Sequence, residues 1–204
     1  MLLKSLPCLA LLVAGSLGSA RAQTVYSAHQ PQPLPLAVGF GVSNFDLDYG
    51  KDVNRERRMT GITATFDTGL PHASGLLRGF GLEVEGRDIN YSRPASLNRM
   101  RQTTILGGTT YTWPYSRTVH PFAKYLLGMG SIDFPQIGPK YKHDTRAIQA
   151  PGIGLECKLF HALSVRGDYE YQFWPHLYGP HSLTPNGFTL ATLYDFRHAR
   201  RPQP

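Results

Sequence analysis

Residues 163–174 read LSVRGDYEYQFW, and the alternation in them is strict. Leu163, Val165, Gly167, Tyr169, Tyr171 and Phe173 fall on one face of an extended chain, while Ser164, Arg166, Asp168, Glu170, Gln172 and Trp174 fall on the other. A half-buried strand of a soluble sheet has this pattern. So has a strand with lipid on one side and a crowded polar lumen on the other, and which solvent meets the apolar face decides the fold.

The start of the chain, MLLKSLPCLALLVAGSLGSARAQ, has one lysine, an apolar run from Leu6 to Leu17, and Ala20 and Ala22 in an A-x-A arrangement before Gln23. Residues 1–22 are therefore expected to be an export signal cleaved near Ala22. Cys8 lies too early in the apolar core, with no small residue before it, for a lipid-attachment site. Cleavage removes one of the two cysteines, so Cys157 has no intrachain disulfide partner and packing with ladder hydrogen bonds must hold the fold. No later stretch reaches the roughly 18 consecutive apolar residues of a spanning helix, so a membrane would have to be crossed by a closed barrel.

Residues 23–35, QTVYSAHQPQPLP, are too rich in Pro and Gln for a helix or central strand and read as a periplasmic leader. Eight alternating segments follow, at Leu36–Tyr49, Met59–Asp67, Leu77–Arg87, Arg101–Trp113, Val119–Ser131, Arg146–Leu159, Leu163–Trp174 and Gly187–Phe196. Apolar sets such as Val38, Phe40 and Val42, or Ile153, Leu155 and Cys157, share one face; Leu106 breaks the pattern of its strand. Most segments exceed the five or six residues usual in soluble sheets and match spanning strands.

The opposite faces carry charges of both signs: Glu83, Glu85 and Arg87; Lys124; Glu156 and Lys158; Arg166, Asp168 and Glu170. A soluble sandwich or lipocalin-like barrel also has a charged face. Glycine separates the two, because it falls on the charged face in pairs, at 39 and 41, 79 and 81, 128 and 130, and 152 and 154. A solvated surface has no steric need of such glycines, whereas a narrow lumen filled by long side chains has. The connections point the same way: residues 50–58, 88–100, 132–145 and 175–186 are long, 114–118 and 160–162 are short, and 68–76 is intermediate. With an even strand count both chain ends fall on the short-turn rim. Tyr49, Trp113, Tyr115, Phe134, Phe173, Trp174 and Tyr194 lie near strand ends, as an interfacial aromatic girdle requires.

With the signal to Ala22, the pattern from Leu36 to Phe196 and the last strand TLATLYDF, the chain resembles the small eight-stranded Gram-negative outer-membrane β-barrels of the OmpA-like transmembrane-domain superfamily. The resemblance implies an all-β, antiparallel, up-and-down transmembrane barrel over residues 36–196 in the outer membrane. It also implies a closing strand read by the outer-membrane assembly machinery, with Thr189 at the polar position and Tyr194 and Phe196 as the aromatic pair. Here Phe196 is followed by a basic tail, residues 197–204, and Ala191 stands where Gly is common.

No cofactor or metal is expected: His176 and His181 have no carboxylate or cysteine beside them in their loop, and Cys157 reads as a small hydrophobe on the apolar face. A lipid A-modifying barrel enzyme would need Ser and His within reach of each other. The local candidates, His181 and Ser182, are adjacent and point apart on an extended chain, so no catalytic residue is expected. The net charge of +7 is spread over separate loops, GKDVNRERR, GRDINYSRPASLNRMR and PKYKHDTR. That suits lipopolysaccharide phosphates rather than nucleic acid. The expectation is a non-enzymatic barrel with a structural or surface-interaction role, the alternatives being a narrow ion or small-solute channel, a lipid A-modifying enzyme, or a soluble lipocalin-like barrel.

Overall fold

The computed structural model describes residues 36–48, 58–70, 75–91, 100–113, 118–133, 143–160, 162–177 and 181–196. The expected signal, leader and basic tail, and most of the long basic loops, lie outside the described residues. The elements are β1 (Leu36–Asp46), β2 (Arg58–Gly69), a 3-10 helix (Gly75–Gly79), β3 (Phe80–Tyr91), β4 (Met100–Thr112), β5 (Val119–Asp133), β6 (His143–Lys158), β7 (Leu163–Tyr171), β8 (Trp174–Leu177), β9 (His181–Leu183) and β10 (Asn186–Asp195). Eight of the strands close into an antiparallel barrel in the order β1-β10-β7-β6-β5-β4-β3-β2, and β8 pairs with β9 in a small separate sheet. Among the described residues no helix is long and apolar enough to cross a membrane.

Closure comes from the first and last strands, which pair from Ala37–Asp195 to Asp46–Asn186. The Phe196 N–H donates to the Leu36 carbonyl at 3.0 Å, so the described start and end of the barrel share one rim. That rim also carries the connection from β6 to β7, where Leu159 N donates to the Leu163 carbonyl at 3.0 Å.

Strand boundaries differ from the sequence expectation in consistent ways. β1 stops at Asp46 rather than Tyr49, and the third strand starts at Phe80 rather than Leu77 because Gly75–Gly79 turns as a 3-10 helix. β3 runs on to Tyr91, β5 to Asp133, and β6 begins at His143. These extensions are polar on their outward faces, so alternation fades there while backbone pairing continues. β7 ends at Tyr171 for a different reason. Register places Pro151 opposite Tyr171, and Pro has no N–H to give the ladder; pairing resumes at the Gln149–Phe173 bridge.

Burial is inverted relative to a soluble protein. Ile62 is 70% exposed and Phe40 69%, with Ile105, Met129, Ile153 and Leu190 comparable on the outside. Glu83, Glu85, Arg87, Lys124, Arg166, Asp168 and Glu170 are buried on the inside. A soluble lipocalin-like barrel would turn Phe40 and Ile62 inward.

The interior is not polar throughout. At the long-loop end Phe45, Leu47, Met59, Ile89, Leu106, Leu126, Ile132, Ile148, Ala150 and Trp174 form a buried apolar cluster, against which Leu183 packs. Trp174, expected in the interfacial girdle, is 0% exposed inside this plug. The reason is parity: its side chain continues the inward column of Asp168, Glu170 and Gln172. Gly130 makes room for it, since a Cβ there would fall against the indole ring.

Candidate functional site: a plugged, charged lumen and a polar collar

Below the plug, β3, β5 and β7 aim Glu83, Glu85 and Arg87, then Lys124, then Arg166, Asp168 and Glu170 at one another. Lys124 Nζ lies 2.8 Å from Glu85 Oε2, 2.9 Å from Asp168 Oδ2 and 3.0 Å from Glu170 Oε2, with Glu83 Oε1 at 3.7 Å. Lys124 Nζ donates a hydrogen bond to Glu85 Oε2, and the other three carboxylates surround the same ammonium as ion-pair neighbours. Arg87 pairs with Glu85 and donates Nη1 to Glu170 Oε1 at 2.8 Å. Arg166 spans Glu83, at 2.6 Å, and Asp67, at 3.2 Å, an aspartate on β2 that the sequence did not single out. Both guanidinium groups also stack on inward rings, Arg87 on Phe45 at 4.1 Å and Arg166 on Phe122 at 3.8 Å.

A polar relay joins this cluster to the plug. Trp174 Nε1 donates to Gln172 Oε1 at 2.9 Å, Gln102 Nε2 donates to the same oxygen at 2.9 Å, and Gln172 Nε2 donates to Glu170 Oε1 at 2.8 Å. The small β8–β9 sheet is anchored nearby, where Thr184 N and Oγ1 donate to Asp48 Oδ2 at 3.1 and 2.8 Å. Of the remaining expected lumen charges, Glu156 is half-buried opposite Arg166, and Lys158 is exposed at the short-turn rim, outside the cluster. Lys158 is the last residue of β6, where the wall ends and its side chain meets solvent.

The last strand places Thr189 inside, hydrogen-bonded to Ser43 Oγ at 2.8 Å. Tyr194 and Phe196 face outward near the short-turn rim with ring centroids 5.0 Å apart. Phe80, Tyr111 and Trp113 continue an aromatic row on the same side, at 4.9 and 5.0 Å. An aromatic row of this kind suits a membrane–water interface.

The outward face at the long-loop end is polar instead. Arg101 Nη2 donates to Asp88 Oδ2 at 2.7 Å, and Arg58 Nη1 donates to Asn44 Oδ1 at 3.1 Å. On β5 and β6, Asp133 pairs with His143 in register and Ser131 with Thr145. His143 Nδ1 hydrogen-bonds Asp133 Oδ1; Ser131 Oγ lies 3.4 Å from His143 Nε2 and 3.5 Å from Nδ1, and Thr145 Oγ1 lies 3.3 Å from Nε2. Sequence spacing does not reveal this group, because strand pairing brings it together across residues 134–142. The expected non-pair, His181 and Ser182, occupies consecutive positions in β9. His176 is exposed with a φ of 54°.

An eight-stranded closed barrel with an apolar exterior, an aromatic row at one rim and a polar collar at the other has the fold of the small outer-membrane β-barrels. The structure is similar to Neisserial surface protein A, with a TM-score of 0.56 and 10% identity, covering 80% of this chain and 97% of that one. It is also similar to Ail, the attachment invasion locus protein of Yersinia pestis, with a TM-score of 0.54, 14% identity and the same coverage, 80% and 97%. The structure of Ail in complex with the heparin analogue sucrose octasulfate gives a TM-score of 0.53 at 13% identity, covering 80% and 97%. At these identities the likeness is one of fold. No protein-family model matches the sequence, and no curated protein matches it in sequence.

Proposed function

We propose that this chain resides in a Gram-negative outer membrane as a closed, non-conducting barrel that works at the cell surface, with outer-leaflet lipid and lipopolysaccharide as its first partners. The observation that carries the reading is the inverted burial: apolar side chains cover the outside, and ion pairs fill the inside. Water cannot be the solvent of that exterior, and a hydrocarbon layer can. The lumen supports the non-conducting part. Eight strands leave an interior just wide enough for side chains, and here Lys124, Arg87 and Arg166 are held in ion pairs beneath an apolar plug. Arg58 on the collar, held by the neutral Asn44 amide, presents positive charge at the level of headgroup phosphates.

Membrane fractionation combined with heat-dependent gel mobility tests residence, and planar-bilayer recording tests closure. The expected result is a membrane-bound protein whose mobility shifts on heating and which gives no large stable conductance. Recovery in the soluble periplasmic fraction without a mobility shift would contradict residence. A sustained ion-selective current altered by neutralising Lys124 or Arg166 would replace the closed reading with the channel reading.

A further inference from the structure

We propose that the outer wall of this barrel holds one acyl chain of lipid A in an oblique groove across β1, β10, β7 and β6, with Arg58 taking a phosphate of the same molecule. The inference rests on the membrane placement proposed above and deepens it by naming the site and the lipid.

The groove follows from strand parity. Outward residues that stand in register across neighbouring strands form ridges at right angles to those strands. One ridge runs from Asn44 through Phe188 to Ile153, and the next from Val42 through Leu190 and Gly167 to Leu155. Between them lies a groove of about 830 Å³, almost wholly apolar, that continues to Trp113. Strands of such barrels tilt by about 35–45°, so a row at right angles to them crosses the apolar belt obliquely. Asn44 marks the collar end of the groove, and Trp113, stacked on Tyr111 in the aromatic row, marks the other.

Gly167 deepens the groove at its middle. It takes an outward place on β7 between Val165 and Tyr169, and a Cβ there would meet only Leu190 Cδ1, at 4.0 Å. At Gly41 or Gly128 a Cβ would strike the carbonyl of Leu190 or Ile105, so those glycines serve the packing of the barrel itself. Gly167 serves no such contact and weakens its strand, and what its missing side chain leaves is room for a hydrocarbon chain against the wall.

Charge decides the occupant. Asn44 Oδ1 accepts from Arg58 Nη1 at 3.1 Å, which holds an exposed guanidinium beside the outer end of the groove. Among the described residues Arg58 forms no ion pair, and Asp46, its register partner, gives one carboxylate oxygen to the Asp48 N–H at 3.0 Å. A cation at the mouth of an apolar groove matches an amphiphile with a phosphate above and a hydrocarbon chain below. The collar lies on the long-loop side, the outer leaflet in the placement proposed above, and the phosphate-bearing lipid of that leaflet is lipopolysaccharide.

The test uses the refolded full barrel in phosphatidylcholine vesicles carrying small, equal amounts of lipid A and phosphatidylethanolamine. The protein is extracted in mild detergent, its retained lipids are counted by native mass spectrometry, and heat-dependent mobility is recorded in parallel. The wild type is expected to keep one lipid A per barrel. Gly167→Leu, which fills the groove, and Arg58→Gln, which removes a charge-assisted contact, should each lower that retention about tenfold with the heat shift unchanged. Arg58→Gln lies outside the apolar belt and decides the matter if Gly167→Leu refolds poorly. Gly107→Leu is the control, because a Cβ there also has open space, with the Glu83 carbonyl nearest at 3.8 Å, but the residue lies on β4 away from the groove. It should keep lipid A as the wild type does. Equal retention by all four proteins, or phosphatidylethanolamine kept in place of lipid A, overturns the proposal. So does a lipid-free wild-type dimer that Gly167→Leu separates, which would make this wall an interface between two copies. A heat-shifted wild type that keeps no lipid overturns the groove and leaves the membrane reading intact. A wild type with no heat shift removes the membrane reading, and the groove falls with it.

Discussion

Replacing Lys124 by Met is expected to destabilise the barrel by about 3–5 kcal/mol, the range for breaking a buried ion pair from one side. The ammonium sits within 3.0 Å of Glu85, Asp168 and Glu170, all buried, and nothing in the lumen's apolar roof can take its place. The cluster already holds more negative than positive groups: Asp67, Glu83, Glu85, Asp168 and Glu170 against Arg87, Lys124 and Arg166. Removing a cation therefore worsens an existing imbalance, and removing a carboxylate relieves it. Glu85→Gln should be milder than Lys124→Met, and the double variant should recover part of the loss. Urea midpoints of the refolded protein in detergent or vesicles measure all three. A Lys124→Met midpoint equal to that of the wild type would show that the lumen is hydrated well enough to screen the carboxylates.

Leu127→Arg is expected to cost about 2–4 kcal/mol of membrane-inserted stability, the value for a cation on the lipid face near the bilayer midplane. Leu127 stands on the outer wall between Tyr125 and Met129, all three exposed. Its counterpart is Thr103→Arg, also on the outer wall but level with the polar collar, as the register partner of Ser131. There the cost should fall to about 0–1 kcal/mol. The heat-shifted fraction after refolding into vesicles measures the difference. Equal yields for the two variants would mean that the belt does not sit in hydrocarbon at the height the collar and aromatic row define.

Alternation made the walls legible in the sequence. Val38, Phe40 and Val42, or Tyr169, Tyr171 and Phe173, are outward in the structure because a strand has no other way to place every second residue. The charged column of β3 and β7 was legible for the same reason. The plug was not. Its members are one or two apolar exceptions on each polar face, Leu106 on β4 or Ile148 and Ala150 on β6, and the exceptions become a cluster only when the strands close on one another. Trp174 shows the same limit: nearness to a strand end suggested the interface, whereas parity and the space left by Gly130 put it inside. Asp67 joined the ion-pair cluster from a strand whose sequence reads as mostly Thr, Gly and Ala, so it offered no charge pattern to notice. The Ser131, Asp133 and His143 group depends on the register of β5 against β6, which residue spacing does not encode across the intervening connection.

The central claim, lipid outside and charge inside, is tested most directly at Leu127. A Leu127→Cys variant in a Cys157→Ser background, labelled with an environment-sensitive fluorophore and refolded into vesicles, reports the solvent on the outer wall. Strong quenching by lipids with brominated acyl chains, and little by aqueous iodide, is the predicted result. Ready quenching by iodide with no response to the brominated lipids would place water against that wall and contradict the account.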